Sequence, residues 1–206
     1  SRYALGRDYH KTLRKRLQKF AEKISQEVSN MGYRAFVDSA PVLERAIAEQ
    51  AGLGWIGKNT MLINKQAGSF FFLGELFTDL PLIADQAVSH HCGSCQACID
   101  ICPTQAIVAP YELDARLCIS YLTIENKGII APNLRPLIGN RVFGCDDCQL
   151  ICPWNRYAQL SAEDDFKARH RLDSLSLLEL FLWSEQSYLD KTEGSLIRRV
   201  GYDGFL

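Results

Sequence analysis

The chain has 206 residues, of which 47% are hydrophobic and 23% charged, with a formal net charge of −1 and eight cysteines. That apolar fraction at this length supports a folded core of one large or two small domains, which excludes a disordered segment, a collagen-like repeat or a disulfide-stapled miniprotein. No run approaches the ~18 consecutive apolar residues of a membrane span, and no signal-peptide pattern opens the chain, so a soluble cytoplasmic protein with no membrane partner is expected. The first residue is Ser1 and the last are Phe205-Leu206; a piece of something longer is expected.

In chain order, Arg7 to Met31 predicts a helix, with Leu13, Leu17, Phe20, Ile24 and Val28 at three- and four-residue steps. Its other face is basic. Residues 1–34 hold nine Lys or Arg against three acidic residues, and the remainder of the chain carries the balancing acidic excess. Such a face is either merely solvated or a salt-sensitive contact for a polyanion such as RNA phosphate. Tyr33 to Val37 reads as a buried strand that delivers Asp38-Ser-Ala-Pro41 at its end, before a helix from Val42 to Ala51. Asp38 can be a helix cap there or a functional carboxylate; the residues alone leave both open.

Gly52-Leu-Gly-Trp-Ile-Gly57 matches the G-x-G-x-x-G dinucleotide fingerprint in letters only. A helix precedes it and the strand-like Thr60 to Ile63 follows, the reverse of the strand-then-helix context that a pyrophosphate site needs. These glycines predict a helix stop and a close approach of neighbouring backbone. After a turn at Asn64–Gly68, the aromatic run Ser69 to Thr78 predicts a central strand covered on both faces. Residues 1–85 thus read as an α/β layer domain.

The cysteines sit at 92, 95, 98, 102, 118, 145, 148 and 152. Disulfides would spread along the chain and need an oxidising compartment, so clustering argues for metal. Cys92-x2-Cys95-x2-Cys98-x3-Cys102-Pro103 is the run that binds one cubane through three thiolates and lends the fourth to a second cluster. Cys145-x2-Cys148-x3-Cys152-Pro153 repeats its second half, and Cys118 completes the count. The crossing rule assigns Cys92, Cys95, Cys98 and Cys152 to one 4Fe-4S cluster and Cys102, Cys118, Cys145 and Cys148 to the other. The alternative is two structural zinc sites, but zinc ribbons use paired C-x2-C knuckles rather than this triple run. Two adjacent clusters imply electron transfer in a ferredoxin-like domain over residues 86–158.

Between the motifs, Asp114 to Glu125 predicts a helix ended by Lys127-Gly128, and Ile129 to Arg141 a loop-rich crossover with Pro132 and Pro136. Beyond Pro153 comes an acidic turn at Ser161–Asp165. Then follow a helix capped by Asp173-Ser174 through Leu175, Leu178, Phe181 and Leu182, and another capped by Thr192 through Leu196, Ile197 and Val200. Residues 159–206 therefore read as a helical segment, the expected start of a repeat array. The overall expectation is α+β.

The combination resembles the epoxyqueuosine reductase family. The resemblance rests on Gly6-Arg-Asp-Tyr-His10, Val37-Asp-Ser-Ala-Pro-Val-Leu-Glu-Arg45, Ala51 to Lys58, Gly68 to Glu75, Cys118 to Glu125 and Gly144 to Arg156, and extends to about Arg199. It implies reduction of the epoxide of epoxyqueuosine in a tRNA anticodon loop, with electrons from an external donor relayed through both clusters to a base-off cobalamin. It also implies Asp38 as proton donor, since a developing alkoxide must be protonated before it leaves. That role predicts a buried, protonated Asp38. The likeness further points to cobalamin contacts at Asp38, Ser120, Lys127 and Asp146 and at main chain around Leu62 and Leu73. None of the four histidines stands in an Asp-x-His-x-x-Gly motif. The family reading is a monomer. Two rivals remain, a ferredoxin-type electron-transfer subunit and a reductive dehalogenase-like corrinoid enzyme.

Overall fold

The structure is a computed structural model that describes residues 1–28 and 31–205. The leading helix α1, Tyr9–Glu27, begins where Asp8 caps it by accepting the His10 main-chain N–H at 3.0 Å. It starts two residues later than the apolar spacing predicts, and the predicted last turn falls partly on positions 29–30, outside the described residues. Ala21 is its one buried side chain, with Leu13, Leu17 and Ile24 half-buried beside it. Phe20, expected on the same stripe, is 56% exposed. The face that α1 buries lies against β1, Tyr33–Phe36, and β4, Glu75–Thr78. These two strands pair antiparallel with Phe36 opposite Glu75.

The predicted central strand over Ser69 to Thr78 is a correction. Only its last four residues are β, in a two-stranded ribbon, and Phe77 is 44% exposed. Residues 69–74 are irregular because their covering comes from discrete contacts instead of a ladder: the Phe72 ring stacks on Tyr9 at 4.1 Å and lies 5.2 Å from Phe166. The helix α2, Glu44–Gln50, starts after Leu43 and not at Val42. Asp38 is therefore not its cap. Gly52 follows α2 with φ +70°, the left-handed stop that glycine tolerates. The strands β2, Trp55–Ile56, and β3, Leu62–Ile63, then form a small hairpin in which a Cβ on Gly54 would collide with the Ile63 carbonyl. The glycine pattern thus serves close backbone approach, as expected, and Thr60-Met61 belong to the hairpin tip rather than to the strand.

The cysteine-rich half contains α3, Ala97–Asp100, the pair β5, Ile107–Ala109, and β6, Glu112–Leu113, and then α4, Ile119–Ile124. The helix predicted from Asp114 is shorter because Asp114 to Cys118 form turns, with the Asp114 carboxylate gripping Arg116. Two further single turns, α5, Arg135–Ile138, and α6, Asp147–Leu150, follow. The turns α3 and α6 both span a C-x3-C step and pack on each other, the helical turn that this spacing calls for.

At the C-terminal end, α7, Leu177–Phe181, is capped by Ser176 in a reciprocal capping box with Glu179. Ser184 caps α8, Glu185–Lys191, and Ser195 caps the 3-10 turn Leu196–Val200. Asp173-Ser174 and Thr192 are not N-caps: Thr192 ends α8, its hydroxyl donating to the Tyr188 carbonyl at 2.6 Å. A last turn, α9, covers Tyr202–Phe205. These helices share one core with the start of the chain and with α4, built from Ala4, Ile124, Phe143, Trp183, Tyr188, Leu196 and Ile197. Among the described residues no helix is long and apolar enough to cross a membrane.

Candidate redox and acid site

All eight cysteines are free thiols. Cys92, Cys95, Cys98 and Cys152 line one cavity of about 50 Å³ together with Lys58, Asn59 and Trp154. Burial pushes the Cys98 thiol up, and Cys152, Cys92 and Cys95 add to it as neighbours. Burial also pushes the Cys148 thiol up to about 12, reinforced by Cys145 and Cys118 and then by Cys98 and Cys102. Cys92, Cys95, Cys98 and Cys152 thus stand at one cavity, and Cys148 has Cys145, Cys118, Cys98 and Cys102 as its thiol neighbours. Among the described residues no three His, Cys, Asp or Glu side chains close on a single metal-ion position. The first set instead stands around a space, which suits a multi-iron cubane better than zinc held at about 2.3 Å by four converging sulfurs. Crowded, desolvated thiols ionise readily only around a cationic core, and the Ala106 N–H already donates to Cys102 Sγ at 3.2 Å, the kind of contact that tunes cluster sulfurs.

One hairpin tip holds both cysteine loops. Lys58, only 8% exposed, donates from Nζ to the Gly93 and Cys95 carbonyls at 2.7 and 2.8 Å. Its neighbour Asn59 donates from Nδ2 to the Cys148 carbonyl at 3.1 Å. Ser69 adds a second latch: its main-chain N–H donates to Asn155 Oδ1 at 2.6 Å, and Gln149 Nε2 donates to its carbonyl at 3.0 Å. Sequence reasoning assigns none of these side chains a role. A lysine in an otherwise apolar, glycine-punctuated stretch is the signal that could have found the first of them.

Asp38 lies on the rim of a larger cavity of about 330 Å³, with Tyr3, Tyr9, His10, Ser120, Tyr121 and Arg199 among its walls. Its φ of +51° puts it in the left-handed region, at the apex of a three-residue turn closed by the Ser39 N–H on the Val37 carbonyl. Asp38 Oδ2 is 2.9 Å from His10 Nε2, and His10 Nδ1 is 2.7 Å from Asp8 Oδ1. Burial, then the Asp38 charge, pushes the Tyr9 phenol up, so it stays protonated beside that carboxylate. Burial likewise pushes Tyr3 up to about 12. The expected burial of Asp38 is not provided by these side chains: its carboxylate is 51% exposed.

Ser120 lines the same cavity and links it to the second thiol set. Its hydroxyl accepts the Cys145 N–H at 2.9 Å and lies 3.3 Å from the Cys145 carbonyl. Asp146, one residue on, accepts the Arg2 main-chain N–H at 2.7 Å and is not among the walls of the cavity. The other expected contacts are not brought to this cavity: Leu62 is 3% exposed inside the hairpin, Leu73 is half-buried ahead of β4, and Lys127 is exposed beyond α4. For a corrinoid the fit is therefore partial, with an acid and a hydroxyl on a cavity of ligand-binding size that touches a cysteine loop.

Eight clustered cysteines beside a cavity that carries a carboxylate define a protein of the iron-sulfur class. Residues 91–155 match the family model for a 4Fe-4S double cluster binding domain, and residues 1–39 match the model "Epoxyqueuosine reductase QueG, DUF1730". The chain is 68% identical over its full length to the epoxyqueuosine reductase of Pseudomonas aeruginosa, and 62% identical over 98% of its length to that of Escherichia coli. It belongs to the epoxyqueuosine reductase family. It spans 57% and 53% of those two relatives. Among solved structures, an epoxyqueuosine reductase with an epoxyqueuosine-modified tRNA stem loop matches 99% of this chain and 54% of its own, with TM-score 0.91 at 33% identity. A Bacillus subtilis epoxyqueuosine reductase, described with its catalytic aspartate loop swung out of the active site, matches 99% of this chain and 54% of its own with TM-score 0.91 at 31% identity.

Proposed function

We propose that this chain is the catalytic core of an epoxyqueuosine reductase acting on tRNA, in the cytoplasm and as a monomer, with electrons from an external donor. When bound, two 4Fe-4S clusters supply one-electron storage and a base-off cobalamin supplies the two-electron centre that opens an epoxide. Cys92, Cys95, Cys98 and Cys152 would hold the first cluster, and Cys102, Cys118, Cys145 and Cys148 the second. Asp38 and Ser120 would hold the corrinoid from the cavity side, with Asp146, main chain near Leu62 and Leu73 and the Lys127 side chain as further contacts.

The chain's own chemistry is acid–base. Epoxide reduction to an alkene takes two electrons and two protons and releases water. The oxygen leaves well only when protonated, and Asp38 hands its proton to that alkoxide oxygen. His10 Nε2 fixes the donor's direction. A ligand covering the cavity would remove the remaining solvent from a carboxyl that is now half exposed, which favours its neutral form. The observation that carries this reading is that Asp38 and Ser120 line one cavity while Ser120 grips the main chain of Cys145, so a proton donor and a redox loop meet in one place.

The test is turnover of epoxyqueuosine tRNA by the full-length protein, with and without cobalamin. Asp38→Asn should keep both clusters and cobalamin and lose at least ~100-fold in rate, the low end for a general acid. Near-normal turnover by that variant removes Asp38 as donor. Activity that is indifferent to cobalamin removes the corrinoid.

A further inference from the structure

Behind Asp38 stand two acidic side chains that the reaction above does not use. Glu44, the first residue of α2, accepts the Asp38 main-chain N–H on Oε1 at 2.5 Å. It thereby braces the apex of that left-handed turn through its backbone. Glu75, the first residue of β4, stands opposite Phe36 in the ribbon that leads into the Asp38 turn, and Glu44 is the neighbouring carboxylate that acts most strongly on it. Two ionised carboxylates can only accept, so a hydrogen bond between them requires a proton. Glu75 Oε2 is fully buried with no hydrogen-bond partner among the described residues. A charged carboxylate with an orphaned buried oxygen is costly, whereas a neutral carboxyl is tolerated.

We propose that Glu75 and Glu44 share one proton and together act as a positioning pair for Asp38, and that losing this proton releases the Asp38 loop. This rests on the reading of Asp38 as proton donor. The titratable groups facing the pair are Asp38 from the turn and Tyr9 and His10 from α1, with Asp8 behind His10. Among the described residues neither Glu44 nor Glu75 has an ion-pair partner, so nothing cationic offsets a second negative charge. Burial first, and Glu44 second, push the Glu75 carboxyl up to about 7. Below that pH Glu75 donates to Glu44 and Glu44 keeps its grip on the Asp38 amide. Above it the two carboxylates repel, Glu44 is drawn toward water, and the strained apex loses its acceptor.

The variant that separates this from ordinary packing is Glu75→Gln in the full-length holoenzyme, because an amide fills the same space and donates to Glu44 at every pH. One pH unit above its midpoint a single group is about one-tenth protonated, so wild-type kcat/KM should fall about tenfold by pH 8 while Glu75→Gln stays within about threefold of its own pH 6 value. Two readouts need no turnover. With Asp38→Asn as background, so that its own carboxyl cannot contribute, the infrared band of a protonated carboxyl should disappear near pH 7 and be absent once Glu75→Gln is added. Hydrogen exchange of the peptide containing Asp38 at pH 8 should be faster in wild type than in Glu75→Gln. An unchanged carboxyl band in Glu75→Gln, or the same alkaline loss and the same exchange in both proteins, overturns the proposal. If instead band and exchange behave as expected but Asp38→Asn still turns over, the pair positions the loop and it is the donor reading that falls.

Discussion

His10 illustrates how one residue here does several jobs: its amide completes the Asp8 cap, its ring stacks on Tyr9 at 4.1 Å, and its two nitrogens meet Asp8 and Asp38. The acidic neighbourhood of Asp38 also leaves a mark on stability. Glu75 titrates in the fold near 7, above its ordinary 4.5, so the folded state favours its neutral form. That contribution is complete below about pH 4.5 and is lost as pH rises through about 7, because ionisation then costs more in the fold than in the unfolded chain. Denaturant midpoints should therefore decline over that interval in wild type, and Glu75→Gln should flatten the decline. None of this was legible in the sequence. Glu44, Glu75, Asp38 and His10 come from four elements, and it is the register of β4 on β1, with Glu75 opposite Phe36, that brings them together. The double-cluster motif was legible for the opposite reason: a cubane fixes where sulfurs must stand, so its spacing shows in the sequence itself.

The elements show where pattern reading succeeded and where it did not. The leading helix was evident from its stripe, but its basic face is not uniform. Arg16 pairs with Glu163 and Arg7 with Asp165 at 3.1 Å, so part of that charge is spent on the acidic turn at 161–165. Lys11, Arg14, Lys15, Lys19 and Lys23 lie along the rest of the helix, Lys15 and Lys19 both exposed. Reversing Lys15 and Lys19 should weaken tRNA binding and flatten the slope of log K against log salt by ~0.7–0.9 for each phosphate that the helix no longer neutralises. Arg16→Glu should leave that slope alone and cost about 0–1 kcal/mol of stability, as exposed ion pairs do. An unchanged slope in the double reversal returns the face to a solvated one. The short hairpin of β2 and β3 was invisible as strands, since two-residue ladders leave no alternation to read. Its tip matters all the same. Lys58→Met leaves two carbonyls of the first cysteine loop without their donor, at about 1–3 kcal/mol; iron analysis should find roughly half the metal lost, from the first site alone.

At the scale of the molecule, the start of the chain, α4 and the terminal helices are one body, since Ala4, Ile124 and Tyr188 lie in the same core. The sequence suggested a helical segment over residues 159–206; its amphipathic faces were readable, but not what they cover, because Ala4 and Phe143 carry no periodic signal. The helix α4 starts at Cys118 and Ser120 clasps Cys145. Stripping iron should therefore lower the Tm of the whole unit in a single transition rather than melt a cysteine domain separately, which calorimetry of loaded and chelated protein can decide. The tip that carries Lys58 and Asn59 has one more consequence. Lys58 grasps the loop of Cys95 and Asn59, the next residue, grasps that of Cys148, so the two cysteine loops share one anchor on a single hairpin tip. Tunnelling falls off steeply with separation, and in a double-cluster domain such a shared anchor would keep the interval between the two loops steady while the rest of the molecule moves.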